Sequence, residues 1–373
     1  MVDRSQALIV SAPNDGGVFV VHSSNIYQLD DLSSTGLAFG SAAAYRAVQP
    51  DSVFKYGAGN SWKHIDKELV ADIHDVLVVG ESIYIVGTER NAIYEFDADG
   101  REIRRWEFGG EEDSKHINCL EMWNGRVVFS AFGDFKTHRE YKNGTFETGF
   151  VADLLTGECL IGALSQPHSL RSHGEGLLLA NSELGEIREY DGYGMLVRSK
   201  YLGGYTRGIA FDTDRLYVGL SCSRNVESTA KSMAVVLVLD RVKWEEISRI
   251  EMPCPEIYDI KCIDDLSLAF AVIAEISHGL CVKYRDLLKN GSCLFAVDKK
   301  VLNVIETQER QISVALEMLE NERKASHSLI RALDTQVRQN EELQQRLLDV
   351  LESSSWRFTA PLREIFSFFS RKR

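Results

Sequence analysis

The chain has 373 residues, of which 44% are hydrophobic and 26% charged. That is enough apolar material for one large core plus an accessory segment, and it excludes wholesale disorder, a collagen-like fibre and a disulfide-stapled mini-protein. A formal net charge of −13 excludes non-specific nucleic-acid binding, which needs a basic face to displace counterions from phosphate.

The N-terminal segment has an apolar run of only four residues, Ala7 to Val10, behind Asp3 and Arg4. A secretory signal needs an apolar core of roughly 7–15 residues, so none is expected. No stretch approaches the ~20 apolar residues that span a bilayer. The seven cysteines show no Cys-x-x-Cys spacing, which fits reduced thiols in a cytoplasmic protein better than a zinc knuckle or a disulfide framework.

From Val18 onward the chain is rich in short runs of β-formers: Val18 to Val21, Ser82 to Val86, Arg126 to Phe129, Leu177 to Leu179 and Arg215 to Val218. Hairpin dipeptides separate them, among them Asp99-Gly100, Asn124-Gly125, Asn143-Gly144, Thr156-Gly157 and Asp191-Gly192. No amphipathic helical period competes over this span. The runs also repeat as units. Ile73-His74-Asp75-Val76, a strand around Tyr84, Tyr94 to Asp97, a turn and Glu102 to Trp106 form one unit. The order recurs as Pro167-His168-Ser169-Leu170, Leu177 to Ala180, Arg188 to Asp191, a turn and Leu196 to Tyr201. Further openings stand at His116-Ile117-Asn118, Thr206-Arg207-Gly208-Ile209 and Ile257-Tyr258-Asp259-Ile260, with a weaker one near Tyr45-Arg46.

The landmarks lie 42 (74 to 116), 52 (116 to 168), 39 (168 to 207) and 51 (207 to 258) residues apart. Those intervals are the period of four-stranded propeller blades with loop insertions. Six openings predict an all-β propeller of six blades over residues 1–295, with seven as the alternative count. The strands Leu8 to Ser11, Val18 to Val21 and Ile26 to Leu29 precede the first opening. They are expected to complete the blade begun at Tyr258, so that closure leaves no free sheet edge.

Period-two alternation places each landmark on a common face of its inner strand. Facing the channel mouth, His74, His116, Asn118, His168, Arg207 and Tyr258 would form a ligand-binding ring. Imidazoles at His74, His116 and His168 suit a divalent metal or general acid–base work, and Arg207 suits a carboxylate or phosphate. The alternative is that these side chains satisfy backbone groups between blades. No Gly-x-Ser-x-Gly, His-Glu-x-x-His or Gly-rich phosphate loop accompanies them, and Gly192-Tyr193-Gly194 lacks a third glycine. No catalytic residue is assigned. Trp62 and Trp106 offer rings for sugars, with inter-blade packing as the simpler role.

The order of these openings, with the Val151 to Ile161 segment and Val218-Gly219-Leu220-Ser221, resembles an uncharacterised bacterial six-bladed propeller family over roughly residues 5–285. Members of that family are sometimes fused to tetratricopeptide repeats or found beside glycan-assembly genes. The resemblance implies the fold and brings no activity with it. The stretch Cys222 to Ser232 departs with its own loop content.

The composition changes near residues 295–302. All 28 glycines lie before residue 292, and residues 301–373 carry 11 acidic and 11 basic residues. Setting position a at Ile305 puts Ile312, Leu319, Ser326, Leu333, Asn340 and Leu347 in the same seam, with Ala315, Leu329, Leu343 and Val350 at d. Residues 301–352 therefore read as a coiled coil, expected to form a homodimer through 305–350, with Asn340 fixing register. Residues 353–373 follow as a basic aromatic tail with a short amphipathic helix. Trp356, Arg357, Pro361, Leu362, Arg363, Phe366 and Phe369 are its expected docking residues, on a partner groove or the inner-membrane surface. Its Ser-Trp-Arg-x-Thr-x-Pro-Leu-Arg core resembles a tail found in bacterial surface-polysaccharide proteins, including transferases that build O-antigen or capsule chains. No transferase domain precedes it here, so the resemblance implies setting and partners rather than a reaction.

The sequence thus predicts a cytoplasmic accessory protein of bacterial cell-surface polysaccharide assembly, peripheral on the inner membrane where the tail docks there. Its propeller recognises a glycan or a partner enzyme, and its coiled coil dimerises and tethers it. The alternative is a carbohydrate-active enzyme, a metal-assisted hydrolase or lyase or a glycan-modifying transferase, using the central histidines.

Overall fold

The computed structural model describes residues 7–22, 25–40, 43–56, 70–222 and 233–262. All of them belong to the first of two compact units, Met1–Ser313 and Val314–Arg373. The expected coiled coil, the basic aromatic tail, Trp62 and most of the loop after Cys222 lie outside the described residues.

The described residues form six antiparallel sheets and no α-helix, only two 3₁₀ turns at Glu140–Asn143 and Ser182–Leu184. Blade 1 holds β4 (Ser34–Phe39), β5 (Ala44–Val48) and β6 (Ser52–Tyr56), which follow β1 (Leu8–Ala12), β2 (Gly17–His22) and β3 (Asn25–Asp30) in the chain. Blade 2 holds β7 (Ile73–Val79), β8 (Ser82–Gly87), β9 (Ala92–Phe96) and β10 (Glu102–Glu107). Blade 3 holds β11 (Ile117–Trp123), β12 (Arg126–Ala131), β13 (Gly149–Asp153) and β14 (Cys159–Leu164). Blade 4 holds β15 (Pro167–His173), β16 (Gly176–Asn181), β17 (Glu186–Tyr190) and β18 (Leu196–Tyr201). Blade 5 holds β19 (Tyr205–Phe211), β20 (Arg215–Ser221), β21 (Val235–Asp240) and β22 (Glu246–Glu251). Blade 6 opens with β23 (Asp259–Cys262) and is completed by β1, β2 and β3 in the order β23-β1-β2-β3.

The fold is the six-bladed propeller, and the closure is the expected one. Leu8 pairs with Cys262, Ile9 with Lys261, Val10 with Ile260 and Ser11 with Asp259. The first blade opens at Ser34 to Leu37, however, not near Tyr45-Arg46, which lies on the second strand, β5.

Apolar clusters fill the gaps between neighbouring blades. Ala47, Val53, Ile73 and Ile85 pack between blades 1 and 2, and Leu8, Phe19, Tyr217 and Val236 between blades 5 and 6. Trp106 packs onto the cluster between blades 2 and 3. At the junction of blades 6 and 1, Arg46 reaches Asp30 with both terminal nitrogens, at 2.5 and 2.7 Å, and also takes Ser34 Oγ. The outer strands β10 and β22 are mostly exposed and carry Arg–Glu pairs such as Arg105–Glu102 and Arg249–Glu246. Charged edges of this kind discourage pairing with another chain. No helix among the described residues is long and apolar enough to cross a membrane.

A bulge near the start of the inner strand in blades 1 to 5 positions the site. Register breaks between Ser34 and Leu37, Ile73 and Val76, Ile117 and Cys119, His168 and Arg171, and Arg207 and Ile209. A bulge turns a backbone N–H out of its own ladder. The preceding blade accepts it: Leu120 donates to Asp75 Oδ2 (2.8 Å), Ser169 to Cys119 Sγ (3.1 Å), Gly208 to Ser169 Oγ (2.7 Å) and Leu37 to Asp259 Oδ2 (3.1 Å). Gly36 and Gly208 have no side chain to offer in turn. After them, Asp75 and Asp259 cap the N–H groups of their own neighbours, Val76 and Ile260.

Candidate functional site

Three hydroxyls fix the alignment of the inner strands. Thr88, Ser182 and Ser221 donate to the carbonyls of Ile117, Thr206 and Ile257, each at the start of the next blade. On that alignment Thr35, His74, Asn118, His168, Arg207 and Tyr258 form one layer, the throat. His116 lies two residues earlier than its supposed counterparts. It belongs to a rim layer with Asp72, Gln166, Tyr205 and Glu256, and Asn118 is the true equivalent of His74 and His168.

Rim and throat enclose a cavity of about 770 Å³ at the N-terminal ends of the inner strands, within the size range of small-ligand sites. Of the expected ring, His74, His116, Arg207 and Tyr258 line it, while His168 and Asn118 are buried outside its lining. The blade 3 excursion between β12 and β13 adds Phe132, Arg139, Tyr141 and Thr145. Sequence reading missed these residues because they belong to an insertion, not to the repeat.

The rings form a closed circuit. Centroid separations are 5.0 Å for His74–His116, 4.3 Å for His116–Phe132 and 5.2 Å for Phe132–His168. The circuit returns through His168–Tyr258 at 6.3 Å and Tyr258–His74 at 5.9 Å. Tyr141 packs on His116, and the Arg207 guanidinium lies over Tyr205 and Tyr258.

Asn118 is a wall residue. Its amide donates to Pro167 O and accepts from Ser130 Oγ, and its carbonyl accepts from the Tyr258 hydroxyl. The expected metal triad is not assembled either. Each Nδ1 turns into the wall, His74 to Asp72 O (3.0 Å), His116 to Asp113 Oδ1 (2.9 Å) and His168 to Gln166 O (3.0 Å). Phe132 stands against both His116 and His168, and no group of three His, Cys, Asp or Glu residues among those described is arranged to hold a metal.

The electrostatics are those of a buried throat whose charged side chain, Arg207, is already paired. Burial pushes His168 well below the ordinary imidazole range, helped by Arg207, and burial also lowers His74. Burial raises Tyr205 to about 12 and Tyr258 far above its usual value. Burial alone would raise Asp113, but hydrogen bonds from His116, Tyr141 and Arg139 outweigh it and bring the carboxyl down to about 2. At the rim Arg207 meets Glu256 at 3.3 Å and Arg139 meets Asp113 at 2.6 Å.

Beneath the throat lies a second polar group that the sequence reading did not single out. Arg171 pairs with Asp259 and stands 3.7 Å from Glu121, and Lys261 is 3.3 Å from Asp259. The only sequence signal for it was the aspartate shared by Ile73 to Val76 and Ile257 to Ile260.

A six-bladed β-propeller with a ring-walled cavity over its central channel is the class these features define. The chain belongs to the family of the domain of unknown function DUF4915, which matches residues 64–272. Its fold is similar to that of a protein of unknown function from Bacteroides caccae, with a TM-score of 0.54 and 12% identity over 70% of this chain and 100% of that one. It is also similar to a chain of a nidogen/laminin complex, with a TM-score of 0.50 and 12% identity over 69% and 97% of the two chains. At such identities the likeness concerns the fold alone. No curated protein matches the chain.

Proposed function

We propose that this propeller is a binding module that takes a neutral sugar, as part of a glycan, in the cavity over its channel. The supporting observation is the set of rings that line it, His74, His116, Phe132, Tyr141, Tyr205 and Tyr258. Sugars present apolar C–H faces to rings and hydroxyls to polar edges, and aromatic side chains supply the first of these needs. Arg207 is tied to Glu256 and Arg139 to Asp113, and Asp72, Lys142 and Glu183 add charges of both signs to the lining, so no single charge dominates the cavity.

The wider setting follows from the tail sequence. An accessory role in bacterial cell-surface polysaccharide assembly, with dimerisation through 305–350 and docking of 353–373 on an assembly enzyme or the inner membrane, completes the proposal. The enzyme alternative relied on the histidine triad, and no observation favours it.

Calorimetric titration of the full chain with neutral mono- and disaccharides tests the binding reading. Saturable binding that weakens by about tenfold, or 1.4 kcal/mol, in His116→Ala and Tyr205→Ala at unchanged Tm is the expected result. Heat-silent titrations across the panel would refute it. Removal of residues 353–373 should release the protein from membranes or from the captured assembly enzyme; unchanged fractionation and capture would refute the docking role.

A further inference from the structure

The two carboxylate oxygens of Asp113 serve different elements. Oδ1 lies 2.9 Å from His116 Nδ1. Oδ2 accepts from Arg139 Nε at 2.6 Å and from the Tyr141 hydroxyl at 2.7 Å, both on the blade 3 excursion. The side chain is 1% exposed. Its backbone is held as well, Asp113 N–H by Glu89 O and Asp113 O by Arg139 N–H.

This arrangement decides what His116 shows the cavity. Burial alone would raise Asp113, but its three side-chain hydrogen bonds bring the carboxyl down to about 2, and an ionised carboxylate only accepts. Nδ1 therefore carries the proton of the neutral His116 ring, and Nε2 carries the lone pair. Nε2 makes no hydrogen bond among the described residues. It is not one of the sealed, unpaired atoms among them, which are Trp106 Nε1, His168 Nε2 and Arg207 Nε. Since His116 lines the cavity, its lone pair opens into that space. Phe132 at 4.3 Å, Tyr141 at 4.7 Å and His74 at 5.0 Å hold the plane of the ring.

We infer that Asp113 is a positioning residue for recognition: it fixes His116 in the Nδ1–H tautomer, so that Nε2 accepts a hydrogen bond from a hydroxyl of the bound sugar. This rests on the sugar-binding reading above and deepens it. The separate duties of the two oxygens make the role testable. Arg139 Nε–H can only donate, so in Asp113→Asn the amide oxygen keeps the place of Oδ2 and the amide nitrogen takes that of Oδ1. There it donates to His116 Nδ1, and the ring proton moves to Nε2. The atom facing the cavity changes from acceptor to donor at nearly constant shape. The excursion keeps its other ties, Phe132 N–H to Lys115 O at 3.0 Å and Glu111 N–H to Lys136 O at 2.9 Å.

The experiment uses the full chain with ¹⁵N-labelled histidine, at a pH where the His116 ring is neutral, with His116 assigned by its loss in His116→Phe. D-glucose, D-galactose, D-mannose and their singly deoxyfluorinated analogues are titrated by calorimetry and in the spectra. The expected result is an Nδ1–H tautomer in the wild type, an Nε2–H tautomer in Asp113→Asn, and a shift of wild-type Nε2 with a bound sugar. Fluorine accepts weakly and cannot donate. At one position of that sugar it should weaken binding about tenfold in the wild type and about twofold or less in Asp113→Asn. If Asp113→Asn has a lowered Tm, His116→Phe replaces it in this comparison, since it keeps a ring and removes the acceptor.

An Nε2–H tautomer in the wild type, or an unchanged tautomer in Asp113→Asn, overturns the inference whatever the cavity binds. A sugar that binds without moving His116 Nε2, or with equal fluorine penalties in both proteins, overturns it and leaves the sugar-binding reading intact. Calorimetric silence toward all three sugars, with His74 and His116 unmoved, overturns both.

Discussion

Asp75 and Asp259 occupy the same register position on the innermost strands of the two blades that flank blade 1, and each accepts the backbone N–H of the blade that follows it. Leu120 donates to Asp75 at 2.8 Å and Leu37 to Asp259 at 3.1 Å. Their electrostatic surroundings differ. Asp259 is paired with Arg171 and lies 3.3 Å from Lys261, while Asp75 has no ion pair of its own among the described residues.

The first prediction concerns this asymmetry. Burial holds the Asp75 carboxyl up at about 7, and the charge of Asp259 pushes it the same way. A carboxyl raised above its unfolded value contributes stability that is complete below the unfolded pKa and is lost as pH rises through the folded one. Relative to Asp75→Asn, the wild type should lose roughly 2–3 kcal/mol of unfolding free energy between about pH 5 and pH 8. Urea denaturation of both proteins across that range checks this, and parallel curves would refute it.

Gly36 faces the same carboxyl. A Cβ there would stand 2.1 Å from Asp75 Oδ1 and 2.7 Å from Asp75 Cα, so backbone as well as side chain would have to yield. Gly36→Ala should destabilise the protein by about 1–3 kcal/mol. Gly162→Ala is the control, since its Cβ would meet only Cys159 Sγ at 3.8 Å. Equal denaturation midpoints for the two variants would contradict the packing argument.

The Arg46–Asp30 pair ties blade 1 to the closing blade, with side chains 1% and 3% exposed. Arg46→Met leaves a buried carboxylate uncompensated and should cost about 3–5 kcal/mol. Asp30→Leu combined with Arg46→Met removes both charges and should recover most of that loss. A double variant no more stable than the single one would show that the pair is needed for more than charge balance.

The thiols should differ sharply in reactivity. Burial pushes Cys119 and Cys254 up to about 12, and both are buried, whereas Cys159 is exposed. Brief alkylation of the folded protein, mapped by mass spectrometry, should modify Cys159 and spare the other two, because the thiolate is the reacting species. Early labelling of Cys119 would mean that the inner strands open more readily than their packing implies.

The propeller was legible in the sequence because strand alternation, hairpin turns and unit repetition are local signals that add up over six blades. Closure was legible for a similar reason: three strands stood before the first opening and one lone strand began after Tyr258. The layer assignment of the histidines was not. His116 was aligned with His74 by residue type, but it adopts a left-handed backbone (φ 49°) just before β11, and the throat position falls at Asn118. Matching identical residues fails wherever a bulge shifts register, and the three blades that carry His74, His116 and His168 each have one. The first blade was misplaced at Arg46 for a related reason. Tyr45-Arg46 resembles the start of an inner strand by residue type, but it lies on the second strand, where Arg46 holds Asp30 of the neighbouring blade. The Asp75–Asp259 relationship depends on backbone donors of other blades, which no local pattern encodes.

The closing ladder has a mechanical consequence. Among the described residues β23 pairs only with β1, through four residue pairs, and Leu8 stands opposite Cys262. The two strands are antiparallel, so the N-terminal end of β1 and the C-terminal end of β23 lie at the same end of the ladder. A pull applied through these two ends would peel the ladder one pair at a time instead of shearing it all at once. Under tension the ring has a tear line at blade 6, whereas each other blade is continuous along the chain.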